Sequence, residues 1–147
     1  MTAPVLAASL VGILFLLPLE ADLAEGRAGQ FVRSENPSLQ DALTLARGGK
    51  YDFTTLGEGP ITSIRGAFSR RANLLMLAGA VDRIPPELVV VDWGKRRYLV
   101  EPSGLASFCD FARASRGQRP PRFPRMIFYR PMDENAAFPK KLPVLCG

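Results

Sequence analysis

The stretch "VVVDWGKRRYLVE", residues 89–101, carries the clearest structural pattern in the chain. Two runs of strand-forming residues flank a short polar tip, an arrangement that predicts a β-hairpin. A two-residue loop at Gly94-Lys95 places glycine at the first central position of a type II′ turn, where φ is positive. A loop at Trp93-Gly94 would force tryptophan into that conformation, so we choose the first register.

This register pairs residues of complementary chemistry across the two strands. Asp92 faces Arg97 as an opposite-charge pair, and Trp93 faces Arg96, where a cation–π contact can form. The other predicted pairs are Val89–Val100, Val90–Leu99 and Val91–Tyr98. Because both arginines then have local partners, the basic tip is interpreted as the solvated end of a hairpin, with an anion contact at the tip as the alternative.

A helix and a third strand are predicted after the hairpin. Ser103 is a suitable N-cap for a helix over residues 103–115, and Gly117 follows its expected end. The helix has one apolar face, formed by Leu105, Phe108, Cys109 and Ala112. The apolar run at 123–130 predicts a strand beside the hairpin. We therefore expect an α+β fold, in which a three-stranded antiparallel sheet (88–92, 97–101, 123–130) packs against helices on one face.

The chain divides into three parts before and around this core. Residues 1–26 contain an apolar run, Val5 to Leu17, with small residues after it, which is typical of a signal peptide and shorter than a membrane span. We expect export to the periplasm or the exterior, with an uncleaved membrane anchor as the alternative. Residues 27–37 are interpreted as a linker. Residues 38–147 are interpreted as one small α+β domain with an extended, proline-rich C-terminal tail.

Between the linker and the hairpin the patterns are weaker. Apolar residues at Leu39, Ala42, Leu43 and Ala46 recur with helical spacing and predict a short helix that ends at Gly48-Gly49. Alternation over 51–55 predicts a strand. The run at 73–81 is apolar enough for either a helix or a buried strand.

Composition excludes several kinds of chemistry. The 147 residues include no histidine and only two cysteines. Ser-His-Asp and Cys-His catalysis and imidazole-ligated metals are therefore excluded, and a thiolate-rich zinc site lacks ligands. We predict that the protein is not an enzyme and carries no cofactor or metal.

Positive charge is concentrated in the C-terminal part of the chain. The net charge is +5, and residues 93–147 hold 11 basic against 4 acidic residues. Five arginines follow one another at three-residue spacing, Arg113, Arg116, Arg119, Arg122 and Arg125. Such spacing can align guanidinium groups along one side of a polyproline-II segment and bind phosphates or acidic polymers. The alternative is a solvated loop. The one interleaved aromatic residue, Phe123, lies where the next strand is expected to begin, which argues against a nucleic-acid reader.

The two cysteines, Cys109 and Cys146, are an even count that suits a disulfide in an oxidising compartment. Such a bond would join the tail to the domain. The alternative is a buried Cys109 and an unpaired thiol in the tail.

The second half of the chain resembles a small family of uncharacterised bacterial exported proteins. The resemblance covers at most residues 88–147 and rests on the motif W-G-x-R-x-Y-L at 93–99, Glu101, Phe108-Cys109 and Leu142-Pro143. This chain has Asp110 where the family pattern has asparagine. The family implies no activity. The expected function is a non-catalytic interaction or structural module of the bacterial envelope, with another envelope protein as partner and membrane contact only through the N-terminal segment. An anion-binding module that uses the five arginines is the alternative.

Overall fold

The computed structural model describes residues 29–36, 38–57, 62–79, 84–119 and 124–147, so the predicted signal segment and Arg122 lie outside the described residues. The described elements are strands β1 (Gln30–Asn36), β2 (Leu39–Ala46), β3 (Lys50–Gly57), β4 (Thr62–Arg71), β5 (Leu74–Leu77), β6 (Glu87–Trp93), β7 (Arg96–Val100) and β8 (Phe128–Tyr129), and one α-helix, α1 (Leu105–Ser115). Short 3₁₀ turns lie at Pro102–Gly104, Pro131–Asp133 and Val144–Cys146.

The eight strands form a closed antiparallel barrel in chain order. The last strand closes it, because β8 pairs with β7 on one side and, through Tyr129, with Val32 of β1 on the other. The predicted α+β class with a three-stranded sheet is therefore wrong. The hairpin and the third strand exist, but they are three of eight strands in one continuous wall.

The hairpin register is confirmed. Val89 pairs with Val100, and the other four predicted pairs, Val90–Leu99, Val91–Tyr98, Asp92–Arg97 and Trp93–Arg96, are all observed. Gly94 has the positive φ that the predicted turn requires, +61°. The third predicted strand lies beside β7, although only Phe128 and Tyr129 of it are strand.

The first half of the chain is where the sequence interpretation fails. Residues 30–36, assigned to the linker, form β1, and the short helix predicted from Leu39 to Gly48-Gly49 is strand β2. In β2 the buried residues alternate, with Asp41, Leu43 and Leu45 pointing inward. A buried aspartate breaks the apolar alternation, and the remaining leucines and alanines happen to fit a helical spacing. The run at 73–81, left open between helix and strand, contains strand β5.

The barrel interior is filled with apolar side chains. Strands β1 to β6 contribute most of them, and β7 and β8 add Leu99 and Phe128. The cluster comprises Phe31, Leu43, Leu45, Tyr51, Phe53, Leu75, Leu77, Ile84, Leu88, Val90, Leu99 and Phe128. An eight-stranded barrel is narrow enough for side chains to fill it in this way.

A second apolar cluster lies outside the barrel, on the outer face of β6, β7 and β8. Helix α1 and the tail cover this face and contribute Phe108, Cys109, Ala112 and Phe138. The wall contributes Val91, Trp93, Tyr98, Val100, Ile127 and Tyr129. The buried stripe of α1 agrees with the one predicted, and the helix starts two residues later than predicted, after a 3₁₀ turn.

The barrel has two chemically different ends. One end, here called the turn end, carries the short turns between β2 and β3, β4 and β5, and β6 and β7. Helix α1 starts after β7, at the opposite end, and its last turn reaches the turn end. There Gly117 donates its N–H to the carbonyls of Phe138 and Pro139 at 3.2 and 3.0 Å.

Candidate functional site

The hairpin tip, which drew attention in the sequence, is mostly built into the protein. Gly94 and Lys95 are exposed, but Arg96 retains only 4% of its exposure. Its guanidinium lies 3.9 Å from the centre of the Phe138 ring and donates hydrogen bonds to the carbonyl of Ala136. The predicted stacking of Arg96 on Trp93 is therefore replaced by stacking on Phe138. The solvated-tip interpretation holds for Gly94 and Lys95 alone.

The neighbouring charges form internal ion pairs. The Arg97 guanidinium donates to the carboxylate of Asp92 at 2.6 Å, as the hairpin register predicts. Asp133, which is buried, accepts from the Arg130 guanidinium at 2.9 and 3.1 Å and from the backbone N–H of Arg97 at 3.0 Å. Since a buried carboxylate is stable only with such partners, this cluster holds the tail to the hairpin. Sequence analysis missed Arg130 and Asp133, although their three-residue separation and opposite charge were visible.

Tyr98 lies between this cluster and helix α1. Burial raises the pKa of the Tyr98 phenol, and the Arg96 guanidinium opposes the shift, because it is a nearby positive charge and donates a hydrogen bond of 3.2 Å to the phenol oxygen. The centres of the Tyr98 and Phe108 rings are 5.1 Å apart. Tyr98 is therefore a neutral, structural residue over the whole physiological pH range.

The tail lies against the domain. The Trp93 indole donates from Nε1 to the carbonyl of Lys141 at 2.7 Å, and Cys146 forms a disulfide with Cys109 on helix α1. A side chain at Gly94 would begin 2.6 Å from the Pro139 ring, so glycine is required there for space as well as for its φ. The tail is thus fixed at both ends, by the hairpin tip and by the helix.

Four of the five predicted anion-binding arginines are described, and these four do not lie in one row. Arg113 is in helix α1 and pairs with Asp110 at 3.1 Å. Arg116 and Arg119 follow the helix at the turn end and are exposed. Arg125 is also exposed, but it precedes β8 at the other end of the barrel, where the next residue donates its N–H to the carbonyl of Ser34 at 3.3 Å. The described arginines of this set therefore lie on a helix, after it and at the other end of the barrel, and Arg122 lies outside the described residues.

The structure instead brings different cations close to Arg116 and Arg119. Because Gly117 is hydrogen-bonded to Phe138 and Pro139, the exposed Lys140 and Lys141 of the tail lie beside the end of the helix. The Trp93–Lys141 bond and the contact of Pro139 with Gly94 place the exposed Lys95 next to the same tail segment. These five residues, Lys95, Arg116, Arg119, Lys140 and Lys141, are called the basic cluster below.

Inside the barrel, near the end opposite the turns, lies a polar layer that sequence analysis also missed. Asp41 accepts from Arg33 Nε at 2.8 Å and from the Thr55 hydroxyl at 3.0 Å. The Arg33 guanidinium lies 4.6 Å from the centre of the Phe128 ring. The alternation of β1, β2 and β3 could have placed these three side chains inward, had the strands been recognised.

A shallow groove of about 410 Å³ runs between helix α1 and the end of the tail. The Asp110–Arg113 ion pair lies on it, so opposite charges neutralise each other there. The lining residues are Leu105, Ala106, Cys109, Asp110, Arg113, Leu145, Cys146 and Gly147. The other lining side chains are small or apolar, so the groove offers a ligand no group of like charges.

Within the described parts of the chain, no helix is long and apolar enough to cross a membrane, and no three potential metal-ligating side chains of His, Cys, Asp or Glu gather at one place. No family model matches the chain, and no significant match was found among curated proteins or solved structures. The surface of the molecule is therefore the feature that indicates a function.

Proposed function

We propose that this protein is an exported, non-catalytic interaction module that binds its partner through the outer surface of the barrel. The observation that carries this proposal is the filled interior. Phe31, Phe53, Leu88 and Phe128 are among the interior side chains that keep at most 2% of their exposure, so the described part of the barrel is occupied by its own core. Partners are bound outside it.

The disulfide supports the exported assignment. Cys109 and Cys146 are separated by 37 residues and joined as a structural bond that fixes the tail. Bonds of this kind persist in oxidising compartments and are rare in the cytosol. The envelope or the exterior of the cell is therefore the compartment that suits this fold.

Site-specific photo-crosslinking in cells tests the proposal. A photo-reactive amino acid is placed at Lys95 in one variant and at Arg65 on the barrel wall in another, since both positions are exposed. An adduct of one defined mass, formed in the envelope fraction from one position and not from the other, is the expected result. A chain that stays in the cytosol with both cysteines reduced, or that gives no adduct from either position, would contradict it.

Anion binding is the second candidate, and one observation favours it. Arg116, Arg119 and Arg125 are exposed, and within the described residues none of them is paired with an acid. Three of the five predicted arginines are thus available to a ligand. Retention on a heparin column tests this candidate, because binding through exposed cations weakens steeply as salt is raised. Retention that does not change between low and high salt would count against it.

A further inference from the structure

We infer that the turn end of the barrel is a binding surface for a linear polyanion, an acidic polymer that carries phosphate or sulfate groups on a non-aromatic chain. This inference rests on the anion-binding candidate and relocates its site from the arginine row to the basic cluster. The cluster joins three segments that are far apart in sequence: the hairpin tip, the end of helix α1 and the tail.

Hydrogen bonds to the backbone of the tail hold these segments together. The two hydrogen bonds from Gly117 join the end of the helix to the tail, and the Trp93 indole joins the hairpin to Lys141. All five cations of the cluster are exposed, and none has an ion-pair partner within the described residues. The cluster is therefore a fixed set of anchoring points with free charges.

Further exposed cations lie elsewhere on the turn end. Arg47 and Lys50 flank the β2–β3 turn and Arg71 precedes the β4–β5 turn, and all three are exposed. Among the described acids of this end, Asp133 is buried and paired with Arg130, Asp92 is exposed but paired with Arg97, and Glu134 is exposed.

Among the described residues, the opposite end differs in the sign of its charge. Glu87 starts β6 there and Glu101 follows β7, whereas Arg125 is its exposed cation among the described residues. The described barrel thus has one basic end and one mildly acidic end. A field of this shape attracts and orients an anionic chain at the turn end.

The spread of the cations points to a polymer. They lie exposed on separate segments instead of converging on a buried pocket, so each contact with a single small anion would be weak. A chain with many charges can engage several cations at once and gains from the release of its counterions.

The aromatic residues distinguish between kinds of polymer. Single-stranded nucleic acids are bound by stacking bases on exposed aromatic side chains. At the turn end Trp93 and Phe138 each keep only 2% of their exposure and pack on each other at 5.5 Å. Met132, half exposed, is the large apolar side chain that the described turn end offers to a membrane. We therefore assign the surface to a polymer without bases.

The test compares variants that each lose two positive charges. Lys140→Gln/Lys141→Gln and Arg116→Gln/Arg119→Gln remove charge from the basic cluster, and Arg65→Gln/Arg125→Gln removes the same charge from the barrel wall and the opposite end. Polyphosphate and heparin are the probes, with oligothymidine of equal charge and vesicles of phosphatidylglycerol as the other arms. Thermal unfolding of each variant shows that the fold is retained.

The expected result is that each cluster variant binds polyphosphate and heparin about fivefold more weakly at low salt, whereas the control variant changes less than twofold. Equal weakening in the control would overturn the assigned site and leave the anion-binding candidate standing. No binding of the unaltered protein to either probe would overturn both. Tighter binding of oligothymidine or of vesicles would overturn the assignment to a polymer without bases.

Discussion

Strands β6, β7 and β8 are buried on both faces, whereas β1 to β3 are buried on the inner face only and β4 is only partly buried there. All five residues of β7 are buried, while in β3 buried and partly exposed residues alternate. The difference arises because helix α1 and the tail cover the outside of one part of the barrel and leave the rest in water. The molecule therefore has two apolar cores that share three strands, and the predictions below test how far each core depends on the other.

Large truncations in the two cores should lower the free energy of unfolding by similar amounts. Phe53 in the barrel and Phe108 in the outer core keep at most 2% of their exposure. Phe53→Ala and Phe108→Ala should each lower the free energy of unfolding by about 3–5 kcal/mol, measured by urea denaturation. The two variants should differ when each is combined with Cys109→Ala/Cys146→Ala. Phe108 lies in the same cluster as Cys109, so its loss of stability and that of the cysteine variant should deviate from additivity by at least about 0.5 kcal/mol. The losses for Phe53 and the cysteine variant should add. Equal coupling in both would show that the cores are not distinct.

Substitutions in the polar layer inside the barrel should destabilise the protein as much as substitutions in its apolar core. Asp41→Ala removes the carboxylate that accepts from Arg33 Nε at 2.8 Å, beside a guanidinium that is 5% exposed, and should lower the free energy of unfolding by about 3–5 kcal/mol. The double change Arg33→Met/Asp41→Leu should recover most of this loss in the same urea titration. The exposed Arg113–Asp110 pair serves as the control, because Asp110→Ala should cost at most about 1 kcal/mol. A mild effect of Asp41→Ala would mean that water or the other contacts of Arg33 compensate its charge.

The disulfide should stabilise the outer core. Without it, the 37-residue separation between Cys109 and Cys146 is no longer restrained in the unfolded chain, so Cys109→Ala/Cys146→Ala should cost about 2–4 kcal/mol. Hydrogen exchange should show faster opening of the tail and helix α1, with β2 and β3 still protected relative to them. Uniform acceleration over the whole barrel would contradict the separation of the two cores.

Alkaline pH should weaken the outer core through Tyr98. Its pKa is raised above the ordinary value of 10.0 by burial, so the folded chain keeps the phenol proton at a pH where the unfolded chain loses it. The resulting stability is fully present below pH 10 and is lost as pH rises through the folded pKa. The free energy of unfolding should therefore fall above pH 10, and less steeply in Tyr98→Phe. A residual slope is expected, since burial also raises the pKa values of Tyr51 and Tyr129.

The smallest change in stability is expected for a substitution at the end of helix α1. Ser115 is fully buried, and its hydroxyl has no hydrogen-bond partner among the described residues. Ser115→Ala removes an unsatisfied polar group at little cost in volume and should raise the free energy of unfolding by up to about 1 kcal/mol. A clear loss of stability in thermal unfolding would show that the hydroxyl is bonded.

The two parts of the wall were not equally predictable. In β6 and β7 the requirement to bury both faces selects an almost continuous run of β-branched and aromatic residues, and this pattern indicates a strand directly. In β2 only the inner face must be apolar, and one inner position is Asp41, so the alternation was too weak to exclude a helix. Strand β1 contains Arg33 on its inner face, which led to its interpretation as a linker.

The candidate surface was predictable in part for a similar reason. The charge of the arginine segment is visible in the sequence, and Arg116 and Arg119 belong to the basic cluster. Lys140 and Lys141 join them only because the tail folds back to Gly117, and no local pattern encodes that contact. Arg113 and Arg125 do not belong to the basic cluster, because Arg113 is paired with Asp110 on helix α1 and Arg125 lies at the opposite end of the barrel.

By itself, the sequence determined the hairpin register, the buried stripe of helix α1 and the absence of histidine chemistry, because each depends on neighbours within a few residues or on composition. The tertiary structure alone decided that eight strands close into a barrel, that Asp133 and Asp41 are buried on arginines, and that the cations gather at one end. These features depend on pairings between distant segments such as Val32 and Tyr129, whose partners become neighbours only when the wall closes.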